Sequence, residues 1–176
     1  MDSSDEPPLE QLFPKLAWAG YEITSPATRQ YNCAAWAAGY NDVPWDHGAV
    51  LYAYWPRRVS RDGSTGSLVA VFAALGYTRC DNGDLEEGLE KIAIYDNAND
   101  DWTHAARQLA DGSWTSKLGG REDIRRHARR FQGREVIPRW APRCSFWTRS
   151  TSICRSSSYL GERSNGRRSG LRVPVA

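Results

Sequence analysis

The chain has 176 residues, 40% of them hydrophobic, with eight Trp and eight Tyr, which suffices for one domain with a real core. No run of eighteen apolar residues exists, so no membrane-spanning helix is expected, and four cysteines without a C-x-x-C pair exclude a disulfide scaffold and a zinc module. The net charge of +2 conceals two halves: residues 1–120 hold nine Lys and Arg against seventeen Asp and Glu, and residues 121–176 hold fourteen basic residues, all Arg, against four acidic ones.

The start, Met1-Asp2-Ser3-Ser4-Asp5-Glu6, is acidic where a secretory signal would be basic and then apolar, so a cytoplasmic protein with reduced thiols is expected. Residues 1–11 read as a flexible leader. Leu12, Phe13, Leu16 and Trp18 give a first apolar anchor, and Tyr21–Thr24 alternates as a short strand that Ser25-Pro26 stops. Tyr31-Asn32-Cys33-Ala34-Ala35-Trp36-Ala37-Ala38 then predicts a small-residue helix with Asn32 as its N-cap and Gly39 as its stop. A turn at Asn41–Trp45 leads to an aromatic stretch, Tyr52-Ala53-Tyr54-Trp55-Pro56.

Ser64–Gly76 predicts a second helix with Leu68, Val71, Phe72 and Leu75 on one face. Tyr77–Cys80 reads as the strand leaving it, Asp84–Glu90 as an acidic turn, and Lys91–Tyr95 as the clearest strand of the chain. Thr103–Leu109 and Ser113–Leu118 flank Asp111-Gly112, a hairpin signal. Arg121–Phe131 reads as a short charged helix with Ile124, His127, Ala128 and Phe131 at helical spacing. The fold class expected is α+β, with the Cys-bearing helix packed on a small antiparallel sheet, in a single domain over residues 12–135. Residues 136–176 read as a low-complexity Arg/Ser tail without period, expected to be disordered. Such a tail either touches nucleic acid weakly through phosphates or is the product of a shifted reading frame in a GC-rich gene.

Cys33 opens a helix, where backbone N–H groups and the positive end of the macrodipole lower a thiol pKa below its usual 8.5 or so. It is either a nucleophile or, as buried cysteines often are, a core residue. A nucleophile needs a base, and His104, at the start of a predicted strand, is the histidine best placed. Asn32 and the Cys33 amide are the candidate oxyanion donors. Trp36, Trp55, Arg107, Trp114 and Lys117 are candidate substrate-binding residues; Arg107 and Lys117 would hold an anion. No metal site and no cofactor is expected, since no close ligand pair is present.

The order of cysteine on a helix, histidine on a strand and a polar residue on the next strand resembles the compact papain-like superfamily, its cell-wall peptidases and transglutaminase-like proteins. Thr103–Trp114 looks like the transglutaminase-type stretch of histidine, Gly-containing turn and tryptophan. That resemblance implies a third, orienting acid a few residues on; Thr115-Ser116-Lys117-Leu118-Gly119 stands there instead, so Ser116 or Asp123 would have to serve. More closely, the chain is similar to an uncharacterised bacterial family of unknown function. The motifs are Tyr31-Asn32-Cys33 with Ala35-Trp36-Ala37, Tyr54-Trp55-Pro56, Thr103–Leu109 and Trp114–Gly119, within residues 12–133. This implies a shared fold and site but supplies no activity. Two functions are therefore expected: a thiol hydrolase or acyltransferase that acts on an amide or thioester through Cys33 and His104, or a non-catalytic module that binds a ligand or a protein partner.

Overall fold

Five consecutive residues, Lys91 to Tyr95, are buried, so the strand carrying them needs cover on both faces. One seven-stranded sheet provides the layer in which that strand is central. A computed structural model describes residues 7–14, 16, 20–49, 51–126 and 143–150. Its strands are β1 (Glu22–Ser25), β2 (Thr78–Cys80), β3 (Leu89–Asp96), β4 (Trp102–Gln108), β5 (Trp114–Lys117), β6 (Asp123–Arg126) and β7 (Arg143–Ser150). They lie in the order β1-β6-β5-β4-β3-β7-β2, and every pairing is antiparallel. Short helices accompany them, among the described residues α1 (Leu9–Leu12), α2 (Cys33–Ala37) and α3 (Thr65–Ala74).

This is a β-rich fold and corrects the expected α+β, papain-like arrangement of a helix on a small sheet. Two elements make the difference. Asp123–Arg126, read as the start of a helix, is a strand whose residues pair with Trp114–Lys117 on one side and with Glu22–Ser25 on the other. Arg143–Ser150, assigned by composition to a disordered tail, pairs along the whole of β3 and also with β2. Phe146 of that strand packs with Ala93, Tyr95, Ala106 and Trp114, while Trp147 packs on the other side with Ile92 and Ile94. Pairing along β3 and burial of two adjacent aromatics on opposite faces outweigh the Arg/Ser bias. The other residues of that predicted tail lie outside those described. The predicted leader also contains an ordered piece, since Leu9 of α1 is buried with Leu16, Leu118 and Ile124.

The two faces of the sheet are distinct. On the first, Ile92, Ile94 and Ala105 meet Ala34, Ala35, Ala37 and Ala38 of the α2 segment, Leu68, Val71 and Phe72 of α3, and Trp45 and Trp55. Ser64 caps α3 by accepting from the Ser67 N–H at 3.1 Å, which places Leu68, Val71 and Phe72 on one side. On the second face lie Ala93, Tyr95, Ala106 and Trp114. The hairpin forms as Asp111-Gly112 predicts: Gly112 takes φ 81°, and the Leu109 N–H donates to the Ser113 carbonyl at 2.7 Å.

Candidate functional site

Helix α2 is built from small residues because it lies directly on β4 and β5, and its buried side chains are Cys33, Ala34, Ala35 and Ala37. Gly39, at φ 90°, ends it, a conformation that costs glycine little. Asn32 is the N-cap, as expected: its Oδ1 accepts from the Ala35 N–H at 3.1 Å. That same oxygen also accepts from the Trp45 N–H at 3.1 Å, and Nδ2 donates to the Trp45 carbonyl at 2.7 Å. The amide thereby holds the Asn41–Trp45 turn against the helix through both its oxygen and one of its two N–H donors.

Cys33 is 6% exposed. Burial pushes its thiol up to about 11, and the N–H groups of Ala105, Ala34 and Cys33 itself, with the charge of Lys117, offset only part of that rise. A five-residue helix adds little macrodipole. The thiol is therefore protonated at neutral pH, the opposite of the state nucleophilic attack needs.

His104 stands elsewhere. It pairs across the ladder with Tyr95, and their rings lie 5.8 Å apart at 44°. Tyr95 belongs to the second face, while Ala105, the next residue of β4, belongs to the first, where Cys33 packs. The His104 ring is thus directed to the face opposite α2, while the N–H of the next residue, Ala105, is directed at the Cys33 thiol. Burial lowers the His104 pKa to about 4, so the ring is neutral near pH 7. Ser116, next to Lys117 on β5, alternates onto the second face along with Trp114, which packs there against Phe146. Trp55 is a core residue, its indole N–H donating to the Ser60 carbonyl at 3.0 Å.

What surrounds Cys33 is a different polar group. Lys117 and Asp123 face each other across β5 and β6, both fully buried. Asp123 Oδ2 accepts from the Tyr31 hydroxyl at 2.6 Å and from the Ser25 hydroxyl, while Lys117 Nζ donates to the Arg121 carbonyl. Burial lowers the Lys117 pKa, and Asp123 works against that. Tyr31 and Ser25 were not singled out from the sequence, although Tyr31 lies in the motif that opens the helix.

From this group a row of rings and cations leads across the first face. Lys117 Nζ lies 5.4 Å from the centre of the Tyr31 ring, Tyr31 stacks on Trp36 at 5.6 Å and 27°, and the Arg107 guanidinium carbon lies 4.2 Å over Trp36. Trp36 is fixed in turn by its indole N–H, which donates to Thr115 Oγ1 at 3.2 Å. The row ends at a cleft of about 850 Å³, open where Ala37–Gly39 meet the start of β3 and the end of β4. Tyr77, residues 85–91, residues 107–110 and Arg149 complete its wall. The segment before β3 is tied in place: Gln108 Nε2 donates to the Gly83 carbonyl at 2.8 Å, and Lys91 Nζ donates to the Asn82 carbonyl at 3.3 Å and to Glu86.

Arg107 is the unusual cation of this cleft. Arg149 is paired with Glu90 at 2.7 Å, and Lys91 with Glu86. Among the described residues none accepts a hydrogen bond from Arg107, and its buried Nε has no partner. Burial lowers its pKa, but a guanidinium stays charged at neutral pH. Of the ten residues expected to form a site, the structure gathers Cys33, Asn32, Trp36, Arg107, Lys117 and Asp123 on one face. It sends His104, Ser116 and Trp114 to the other and Trp55 into the core.

The described residues thus form a single antiparallel sheet with a buried cysteine helix on one face and an open cleft lined by cations and carboxylates beside it. The chain belongs to the family described as Domain of unknown function (DUF7689), whose model matches residues 22–135. No curated protein and no solved structure matches the chain. Among the described residues no helix is long and apolar enough to cross a membrane, and no group of three His, Cys, Asp or Glu side chains is arranged to hold a metal ion.

Proposed function

We propose that this domain is a non-catalytic binding module whose site is the cleft between the end of α2 and the start of β3. The observation that carries the reading is Arg107, stacked on Trp36 and lining a cleft of about 850 Å³ without a hydrogen-bonding partner among the described residues. A half-buried guanidinium without an acceptor forgoes hydrogen bonds worth about 1.5–3 kcal/mol each when the donor is charged. Such a group at a cleft is most simply completed by a ligand, and the volume lies in the range of small-molecule sites. The thiol-enzyme alternative through Cys33 and His104 requires sulfur and imidazole within hydrogen-bond reach; the turning of His104 with Tyr95 away from the α2 face supports the binding module over it.

The test is a fragment screen by amide chemical-shift mapping on the full chain. The expected result is that perturbed signals gather at Gly39, Gly88, Leu109 and the Trp36 indole. Hits confined to the surroundings of Cys33, or no hits at the cleft, would overturn the reading.

A further inference from the structure

The charges that line the cleft specify more than a cation at its floor. Three carboxylates, Glu86, Glu87 and Glu90, and three cations, Lys91, Arg107 and Arg149, border the same space. Glu86 is taken by Lys91, and Glu90 by Arg149 and by the Tyr77 hydroxyl at 3.2 Å. One charge of each sign is left over: Arg107, and Glu87, which has no hydrogen-bonding or ionic partner among the described residues. The same wall also carries the apolar side chains of Leu85, Leu89, Leu109 and Ala37.

We infer that the cleft takes an amino-acid-type zwitterion, a free amino acid or short peptide whose carboxylate meets Arg107 and whose ammonium meets Glu87. This rests on the cleft's being the binding site, as proposed above. A single guanidinium suits a planar monoanion, which it engages through two parallel N–H···O bonds. A phosphate dianion in a space bordered by three carboxylates would be short of positive charge. The stacking of Arg107 on Trp36 fixes the plane of the fork before the ligand arrives, so little side-chain entropy is lost on binding. Glu87 is solvent-exposed, so its contribution is selective rather than strong.

The experiment uses the full chain and four probes: trialanine, N-acetyl-trialanine, trialanine amide and inorganic phosphate. Binding is followed by the chemical shift of the Trp36 indole and of the Gly39 and Leu109 amides. Trialanine is expected to bind best, the C-terminal amide at least about tenfold more weakly, the N-acetyl form about threefold more weakly, and phosphate not measurably at the cleft. Arg107→Gln is expected to erase the preference for a free carboxylate, and Glu87→Gln to erase the preference for a free amine while leaving the carboxylate preference intact. The ligand-side comparison needs no variant, so it stands even if Arg107→Gln fails to fold. Equal binding of acid and amide at the cleft, or phosphate binding there as well as trialanine, would overturn this inference while leaving the binding module in place. Silence of the cleft toward these probes would overturn it, and silence toward the whole fragment screen would overturn both.

Discussion

His104 and Ala105, neighbours on β4, part ways: His104 turns with Tyr95 to one face, and Ala105 turns to the face of the cysteine helix with its N–H directed at the Cys33 thiol. Burial moves both groups away from catalysis, the thiol up to about 11 and the imidazole down to about 4. Neither is charged near pH 7.

A pH dependence of stability follows. The folded pKa of His104 is about 4 against a model value of 6.5, so between these values the unfolded chain binds more protons and stability falls as pH drops. The loss begins near pH 6.5, levels off near pH 4 and amounts to no more than about 3 kcal/mol. His104→Gln is expected to flatten this part of the profile in urea unfolding from pH 4 to 7. Parallel profiles for the two proteins would contradict the placement of His104.

The network at Asp123 is structural and sensitive. Tyr31→Phe removes a 2.6 Å hydrogen bond to a carboxylate that is 1% exposed, leaving it short of a donor at a cost of about 1–3 kcal/mol. The check is the denaturation midpoint at constant m-value, and a change under about 0.3 kcal/mol would contradict the network.

Asn32 separates a structural role from a catalytic one. Asn32→Ala removes the helix cap and both contacts with Trp45, at an expected cost of about 2 kcal/mol or more. Asn32→Asp keeps the acceptor for both N–H groups but sets a carboxylate oxygen against the Trp45 carbonyl, so it is expected to recover only part of that loss, as read by thermal unfolding. Equal destabilisation by Ala and Asp would contradict the cap.

Much of this was legible in the sequence for local reasons. The cap at Asn32, the stop at Gly39 and the turn at Asp111-Gly112 are each decided by residues within four positions of one another, and each forms as read; of Ser64, Thr65 and Ser67, each able to cap the second helix, the structure uses Ser64. What was not legible depends on partners far along the chain. Ile124, His127, Ala128 and Phe131 fit a helical period, yet β6 is claimed by Ser116 and Ile23, its partners in the sheet. Arg143–Ser150 is polar by composition, and only the adjacent Phe146 and Trp147, which turn to opposite faces, mark a strand covered on both sides.

The face of His104 is a question of parity, since a shift of one residue inverts a strand. Thr103-His104-Ala105-Ala106 offers no contrast of large and small apolar residues to settle it. The cleft, too, unites residues from five separate segments, and one of its cations, Arg149, sits in the strand that composition had concealed.

The most direct measurement is the rate of iodoacetamide alkylation at each cysteine of the native chain as a function of pH, read by peptide mass, with and without His104→Ala. Cys33 is expected to react more slowly than the half-buried Cys80, with an apparent pKa near 11 that the substitution leaves unchanged. Fast alkylation of Cys33 at neutral pH that slows when His104 is removed would join the two residues across the distance the fold puts between them, and would restore the thiol enzyme in place of the binding module.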